Sequence, residues 1–408
     1  VYFSRDGGGH WVELQGGGFP TVGVRDLAIQ GRENDLVLAT FGRGFWVLDD
    51  YTALRDATAD VLAQDAHIFP VRDALIYVPS RKLGLSDKSF QGESYFTAEN
   101  PPFGALVTYY LKDDIRTLEA KRHEREKAAR DAGEPVTYPS FEEMRAEDQE
   151  EAPYLLFTIA DEDGNVVRRI RESPSKGIHR IAWDLRYPPS VPVDLSPPGP
   201  DNPFSDPDVG PLVVPGTYTV GLSKVADGVP ETLVEPVAFQ VVPLNNATLA
   251  AQDKTALLAF QREAGAAQRD IMAASARLGE AINRLRRVRE AIRLTPSLPE
   301  STLADARALE RRIAEIRITL NGDRSVARRQ FETPASIMDR IGFVVYASFS
   351  ATQAPGGSQR RQLQLAEHDF QELAPRIDQV MSDLEALEAR LEAAGAPYTA
   401  GRRGGGPR

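Results

Sequence analysis

A chain of 408 residues, 42% hydrophobic and 26% charged, can bury a sizeable core and has length for two to four domains at roughly 100–200 residues each. Its formal charge of −11 excludes nucleic acid as the main partner, because phosphate binding needs a dominant basic field. The absence of cysteine excludes disulfides, thiolate metal sites and cysteine nucleophiles, and no stretch approaches the roughly 20 apolar residues of a bilayer span.

The first zone runs from Val1 to about Pro79. Val1–Phe3, Trp11–Leu14, Arg25–Ile29, Leu36–Thr40 and Phe45–Leu48 suit strands, with Gly7–Gly9, Gly16–Gly18 and Glu33–Asp35 supplying turns. Short strands at this even spacing predict a propeller or a sandwich. No targeting region follows Val1, and the opening residues read as the interior of a strand, which either a processed N-terminus or a truncated reading frame would explain. Truncation is favoured because a lone blade segment needs neighbours on both sides.

The second zone spans 103–242. It opens with a strand at Gly104–Leu111, then turns abruptly polar: about half of residues 112–151 are charged, which predicts a solvated helix or helical hairpin inserted between strands. Tyr154–Ala160 and Val166–Ile170 flank the hairpin-type turn Asp161–Asn165, and Ile178–Leu185, Thr217–Leu222 and Ala238–Val242 add strands. Trp183 alternates with Ile181 and Leu185 on one strand face, the pattern of a core tryptophan rather than an exposed sugar-stacking one. Pro188–Pro215 is too rich in proline for regular structure and reads as a surface loop.

The third zone, 246–395, is helical. Ile271, Leu278, Leu285 and Ile292 recur every seventh residue, and Leu309, Ile313, Ile316 and Leu320 continue in steps of four and three. Thr333-Pro334 has the chemistry of a helix start, opening a helix that carries Ile337, Ile341, Val344 and Phe349. A last helix presents Leu373, Ile377, Val380, Leu384, Leu387 and Leu391 up to Gly395, with Pro375 expected to kink it. Four helices with short connections predict an antiparallel four-helix bundle, followed by a disordered tail over 396–408. The arginines of this zone, among them Arg284, Arg289, Arg311 and Arg312, are interleaved with glutamates and read as a salt-bridged surface.

Ser4-Arg5-Asp6-Gly7-Gly8-Gly9-His10-Trp11 matches S-x-D-x-G-x-x-W, the Asp-box of BNR-repeat propellers, with His10 in place of the usual threonine. Its role is structural. A short carboxylate at Asp6 accepts backbone N–H groups, glycine permits the positive φ, and Trp11 is expected to pack between blade strands. Val24–Leu27, Asn34–Thr40 and Gly42–Asp50 resemble the final blade of sortilin-like BNR propeller proteins, a bacterial group often labelled glycosyl hydrolases. Gly177–Arg186 and Pro215–Val220 look like strands of the Ig-like sandwich that follows the propeller in that group. The resemblance implies a β-propeller, an Ig-like sandwich and a helical bundle in order, an exported protein (secreted or periplasmic), and a propeller that binds ligands.

A glycosidase site needs two carboxyl groups roughly 5–9.5 Å apart. Asp49 and Asp50 are adjacent at a strand end and read as turn formers or helix caps, while Arg43 is a candidate for facing a carboxylate ligand. The five histidines, His10, His67, His123, His179 and His368, include no pair at helical metal-ligand spacing, and no cofactor is expected. The sequence therefore favours a non-catalytic binding or scaffold role toward a protein, peptide or glycan ligand, with the bundle open to oligomerisation. Its rival is an accessory region of a secreted glycoside hydrolase whose active site lies upstream.

Overall fold

The computed structural model describes residues 1–14, 16, 18–79, 92–93, 98, 100–197 and 208–402. They form two compact units. One is β-rich and lies within 1–244, and the other is built on the helices that follow Asn245, with the described part of 186–214.

In the β-rich unit, β1 (Tyr2–Phe3) pairs with β2 (Val12–Glu13), and β3 (Val24–Gln30), β4 (Asp35–Thr40) and β5 (Phe45–Leu48) form an antiparallel meander. These are the strands expected of the first zone, to within two residues. Two short helices follow, α1 (Thr52–Asp56) and α2 (Ala59–Ala63), the second capped by the Thr58 hydroxyl.

The rest of this unit is two further sheets. One has the order β10-β9-β12-β13-β7, comprising β10 (Val166–Glu172), β9 (Tyr154–Asp161), β12 (Gly216–Ala226), β13 (Val229–Pro243) and β7 (Ala74–Ile76). It is curled and antiparallel except where β7 runs parallel to β13. The other has the order β11-β8-β6, from β11 (Gly177–Trp183), β8 (Ala105–Leu111) and β6 (Ala66–Ile68). Period-two burial fixes the inner face of each: Ala105, Val107, Tyr109 and Leu111 on β8, and Leu155, Phe157 and Ile159 on β9. The sheets meet through aromatic rings, with Tyr109 4.8 Å from Phe157 and Trp183 5.3 Å from Tyr218. Trp183 is 1% exposed, with Ile181 and Leu185 buried on the same face, as the alternation predicted. Gly104 is needed where these strands begin. It sits at φ +117°, and a Cβ there would stand 1.9 Å from the Trp183 carbonyl oxygen.

The first two zones, expected to divide near residue 79, thus belong to one unit. The reason is that β6 joins β8 and β7 joins β13, pairings between distant segments. The charged stretch is the helical hairpin expected of it, α3 (Leu118–Asp131) and α4 (Phe141–Gln149). Neither helix buries a residue. Thr117 caps the first, and a Ser140–Glu143 capping box starts the second. Arg122 ties the two by reaching Glu126 at 2.6 Å and Glu147 at 2.8 Å.

The helical unit contains α5 (Lys254–Arg293), α6 (Ser301–Asn321), the short α7 (Arg324–Ala327), α8 (Ile337–Phe349) and α9 (Gly357–Ala393). Every seam residue named from the sequence is buried, and all lie in one core shared by α5, α6, α8 and α9. At 40 residues α5 spans about 60 Å. Pro375 stands inside α9 without ending it.

Three expectations for this unit are corrected. The start of α8 is Ser336, not Thr333: the Ser336 hydroxyl accepts the Asp339 amide at 3.1 Å while the Asp339 carboxylate accepts the Ser336 amide at 2.9 Å. That reciprocal pair fixes the cap three residues beyond the Thr-Pro signal. The loop read over Pro188–Pro215 is not wholly at the surface, since Leu212 and Val213 are buried and Arg186 bridges to Leu212. The tail read as disordered from 396 is packed as far as Arg402. Ala396, Thr399 and Arg402 are buried, and Arg402 bonds the Ala396 carbonyl and the Glu392 carboxylate, each at 3.1 Å. Residues 403–408 lie outside the described residues.

Among the arginines, Arg284 makes a buried two-point pair with Glu388, at 3.0 and 2.5 Å, so it belongs to the interior and not to the surface. Arg289 on Glu310 and Arg312 on Asp383 do form the expected ion-paired exterior, while exposed Arg311 makes no ion pair among the described residues. No described helix is long and apolar enough to cross a membrane.

Candidate functional site

The stretch Ser4–Trp11 forms a turn closed by its own side chains. The Ser4 hydroxyl donates to Asp6 at 2.8 Å and accepts the Gly8 amide at 2.8 Å, and Asp6 accepts the His10 amide at 2.9 Å. Gly7 and Gly8 take φ values of +71° and +101°. The His10 amide, the His10 ring and the Ser4 hydroxyl, in that order, hold the Asp6 carboxyl well below the usual carboxylate range. Every strong acceptor on Asp6 is thus engaged locally, which leaves it a turn former. Trp11 does not pack between strands. It is 63% exposed, with its ring about 3.8 Å from the position a Gly8 Cβ would take.

Asp49 and Asp50 close the end of β5. Both main-chain carbonyls accept from Arg180, each at 2.8 Å, and the Asp50 amide donates to the Asp35 carboxylate at 2.9 Å. The Asp50 side chain accepts from the Thr52 amide and hydroxyl at the start of α1. Asp50 needs φ +42° to do this. Burial first, then the charge of Asp35, pushes the Asp49 carboxyl up, and Arg180 partly offsets them. The Asp50 carboxylate is thus engaged within its own turn, whereas Asp49 contributes its main-chain carbonyl. Arg43 lies exposed before β5, and its carbonyl accepts the Trp46 indole N–H at 3.3 Å. The structure brings Arg43 to neither aspartate. Among the described residues, no group of three or more His, Asp or Glu is arranged to hold a metal ion.

The feature that sequence patterning did not single out is a cleft of about 670 Å³ inside the β-rich unit. One wall is the β1–β2 hairpin with Tyr2 and Trp11, the opposite wall is the face of β3 and β4 carrying Leu27, Ile29 and Leu36, and α1 closes one side with Leu54. Leu27 and Ile29 are 55% and 60% exposed although they alternate on one strand face, as core residues do. Two cations reach the same cleft, Arg5 from the Ser4–His10 turn and Arg55 from α1. Arg55 lies over the Tyr51 ring at 4.8 Å and donates to its hydroxyl at 2.6 Å. The available signal was the register Leu27↔Leu38 and Ile29↔Leu36, which gathers these apolar residues on one face once β3 and β4 are paired.

These features define a β-rich unit with an Asp-box-like turn and an open apolar cleft, preceding a helical unit. No protein-family model, no curated protein and no solved structure matches the chain.

Proposed function

We propose that this chain is part of a larger exported β-propeller protein, in which β1–β5 are propeller strands, the paired sheets form an Ig-like sandwich and the helices a positioning bundle. Its role in that protein is binding or scaffolding toward a protein, peptide or glycan, without chemistry of its own. The observation that carries the reading is the second face of the β3–β5 meander, the one turned away from the cleft side chains. Phe45 and Val47 stand 77% and 53% exposed there. A sheet face with its apolar residues bare matches a blade whose neighbour is absent, since blades cover one another. The Ser4–Trp11 turn, with the hydrogen bonds an Asp-box requires, supports the same reading.

The test is to read the coding region preceding Val1 and assay its full product. Further S-x-D-x-G-x-x-W repeats, with no turnover of glycosides, are the expected result. Absence of repeats would remove the propeller reading. Hydrolysis abolished by replacing one upstream carboxylate would replace the scaffold role with that of an accessory region of a glycoside hydrolase.

A further inference from the structure

The cleft between the β1–β2 hairpin and the β3–β4 face has the size of a small-molecule site, roughly 300–1,000 Å³. Both of its walls belong to this chain, so it is distinct from the bare Phe45–Val47 face on which the propeller reading rests. Its lining divides sharply by chemistry. Tyr2, Trp11, Leu27 and Ile29 offer apolar and aromatic surface, while Arg5 and Arg55 bring positive charge. Neither arginine has a carboxylate partner among the described residues. The nearest acid in sequence to Arg5, Asp6, is spent on Ser4 and His10. In a chain with 59 acidic against 48 basic side chains, two cations without a carboxylate partner in one apolar cleft mark a place for an anion.

The backbone narrows the ligand class. The β3–β4 wall is a sheet face, and the backbone N–H and C=O groups of paired strands lie in the plane of the sheet rather than on its face. A peptide laid on that face would bury amides that the face cannot satisfy, at a cost for each. A ligand with a hydrocarbon body and a single anionic end meets no such penalty. We infer that the cleft binds a medium-chain carboxylate, its chain against Trp11, Leu27 and Ile29 and its carboxylate on Arg5 and Arg55. This assignment does not depend on the propeller reading and survives its failure.

Calorimetric titration of the 408-residue chain with dodecanoate and with dodecanol, both below micelle formation, tests it. One equivalent of dodecanoate should bind at least about tenfold more tightly than dodecanol, the difference a charge-assisted contact supplies. The variant Arg5→Ala/Arg55→Ala should abolish that preference and leave dodecanol binding unchanged. Ile29→Trp, a filling change at an exposed site, should block both ligands. Added salt should weaken dodecanoate alone. Equal affinity for acid and alcohol, a preference that persists in the double variant, or no saturable binding of dodecanoate would each overturn the assignment.

Discussion

Replacing Glu388 by alanine leaves the Arg284 guanidinium without its hydrogen-bonded carboxylate in the interior of the helical unit, with only the more distant charges of Glu280 and Glu385. Arg284 is 8% exposed and Glu388 4%, and two hydrogen bonds at 3.0 and 2.5 Å join them. Gly401 lies against the same arginine, close enough that a Cβ there would stand 3.1 Å from Arg284 Cδ. Water therefore cannot readily replace the lost carboxylate. Breaking a buried pair from one side costs about 3–5 kcal/mol, because the remaining charge stays desolvated. For a unit of this size that corresponds to a fall of roughly 6–20 °C in its melting temperature. The pair itself is worth much less, since its desolvation offsets most of the attraction. Arg284→Met with Glu388→Leu should accordingly recover most of the loss. Far-UV circular dichroism at the helical minimum follows the transition of the helical unit, and the two variants are compared with the parent chain. A loss below about 1 kcal/mol for Glu388→Ala would refute the reasoning, for it would mean that the arginine reaches solvent.

Removing the indole in Trp183→Ala should cost about 3–5 kcal/mol and erase near-ultraviolet dichroism from the paired sheets, because Trp183 is 1% exposed and touches Tyr218 and Phe239. Ser336→Ala should lower helical-unit stability by about 1 kcal/mol in urea titration, with Thr333→Ala near neutral, since Ser336 is the cap. The Asp6 carboxyl is depressed by its local hydrogen bonds, so its contribution to the Ser4–His10 turn is full above the unfolded aspartate pKa of about 3.9. That contribution is lost as pH falls through the lower folded value. The His10 amide resonance in an NMR pH titration should therefore keep its position well below pH 4, and an ordinary aspartate midpoint there would count against the bonding described.

What could be read from the sequence depended on how local the determinant was. The helical seams from Ile271 to Leu391 were legible because one helix face repeats within a few residues, and each of those side chains is buried. The strands of the first zone were legible through their glycine and aspartate turns. By contrast, β6 and β7 are three residues each and exist through partners far along the chain, so no periodicity announces them. The full length of β13 was missed because Pro230 and Pro236 argue against a strand. The structure accommodates Pro236 opposite Gly221, where the β12–β13 register shifts, which is where a sheet tolerates proline. The cleft was illegible for a related reason. Tyr2, Leu27 and Arg55 come from three elements, and only the pairing of β3 with β4 and the placement of α1 gather them.

The α3–α4 hairpin holds its shape without a core of its own. Its order rests on Arg122 between Glu126 and Glu147, on Arg116 between Asp114 and Glu124, and on two helix caps. Contacts of this kind weaken as salt screens them, whereas apolar burial does not. Ionic strength and temperature thus act on different parts of one polypeptide. Salt should loosen the hairpin while the sheets of the same unit stay closed, which gives the β-rich unit an appendage tuned by its medium rather than by its packing.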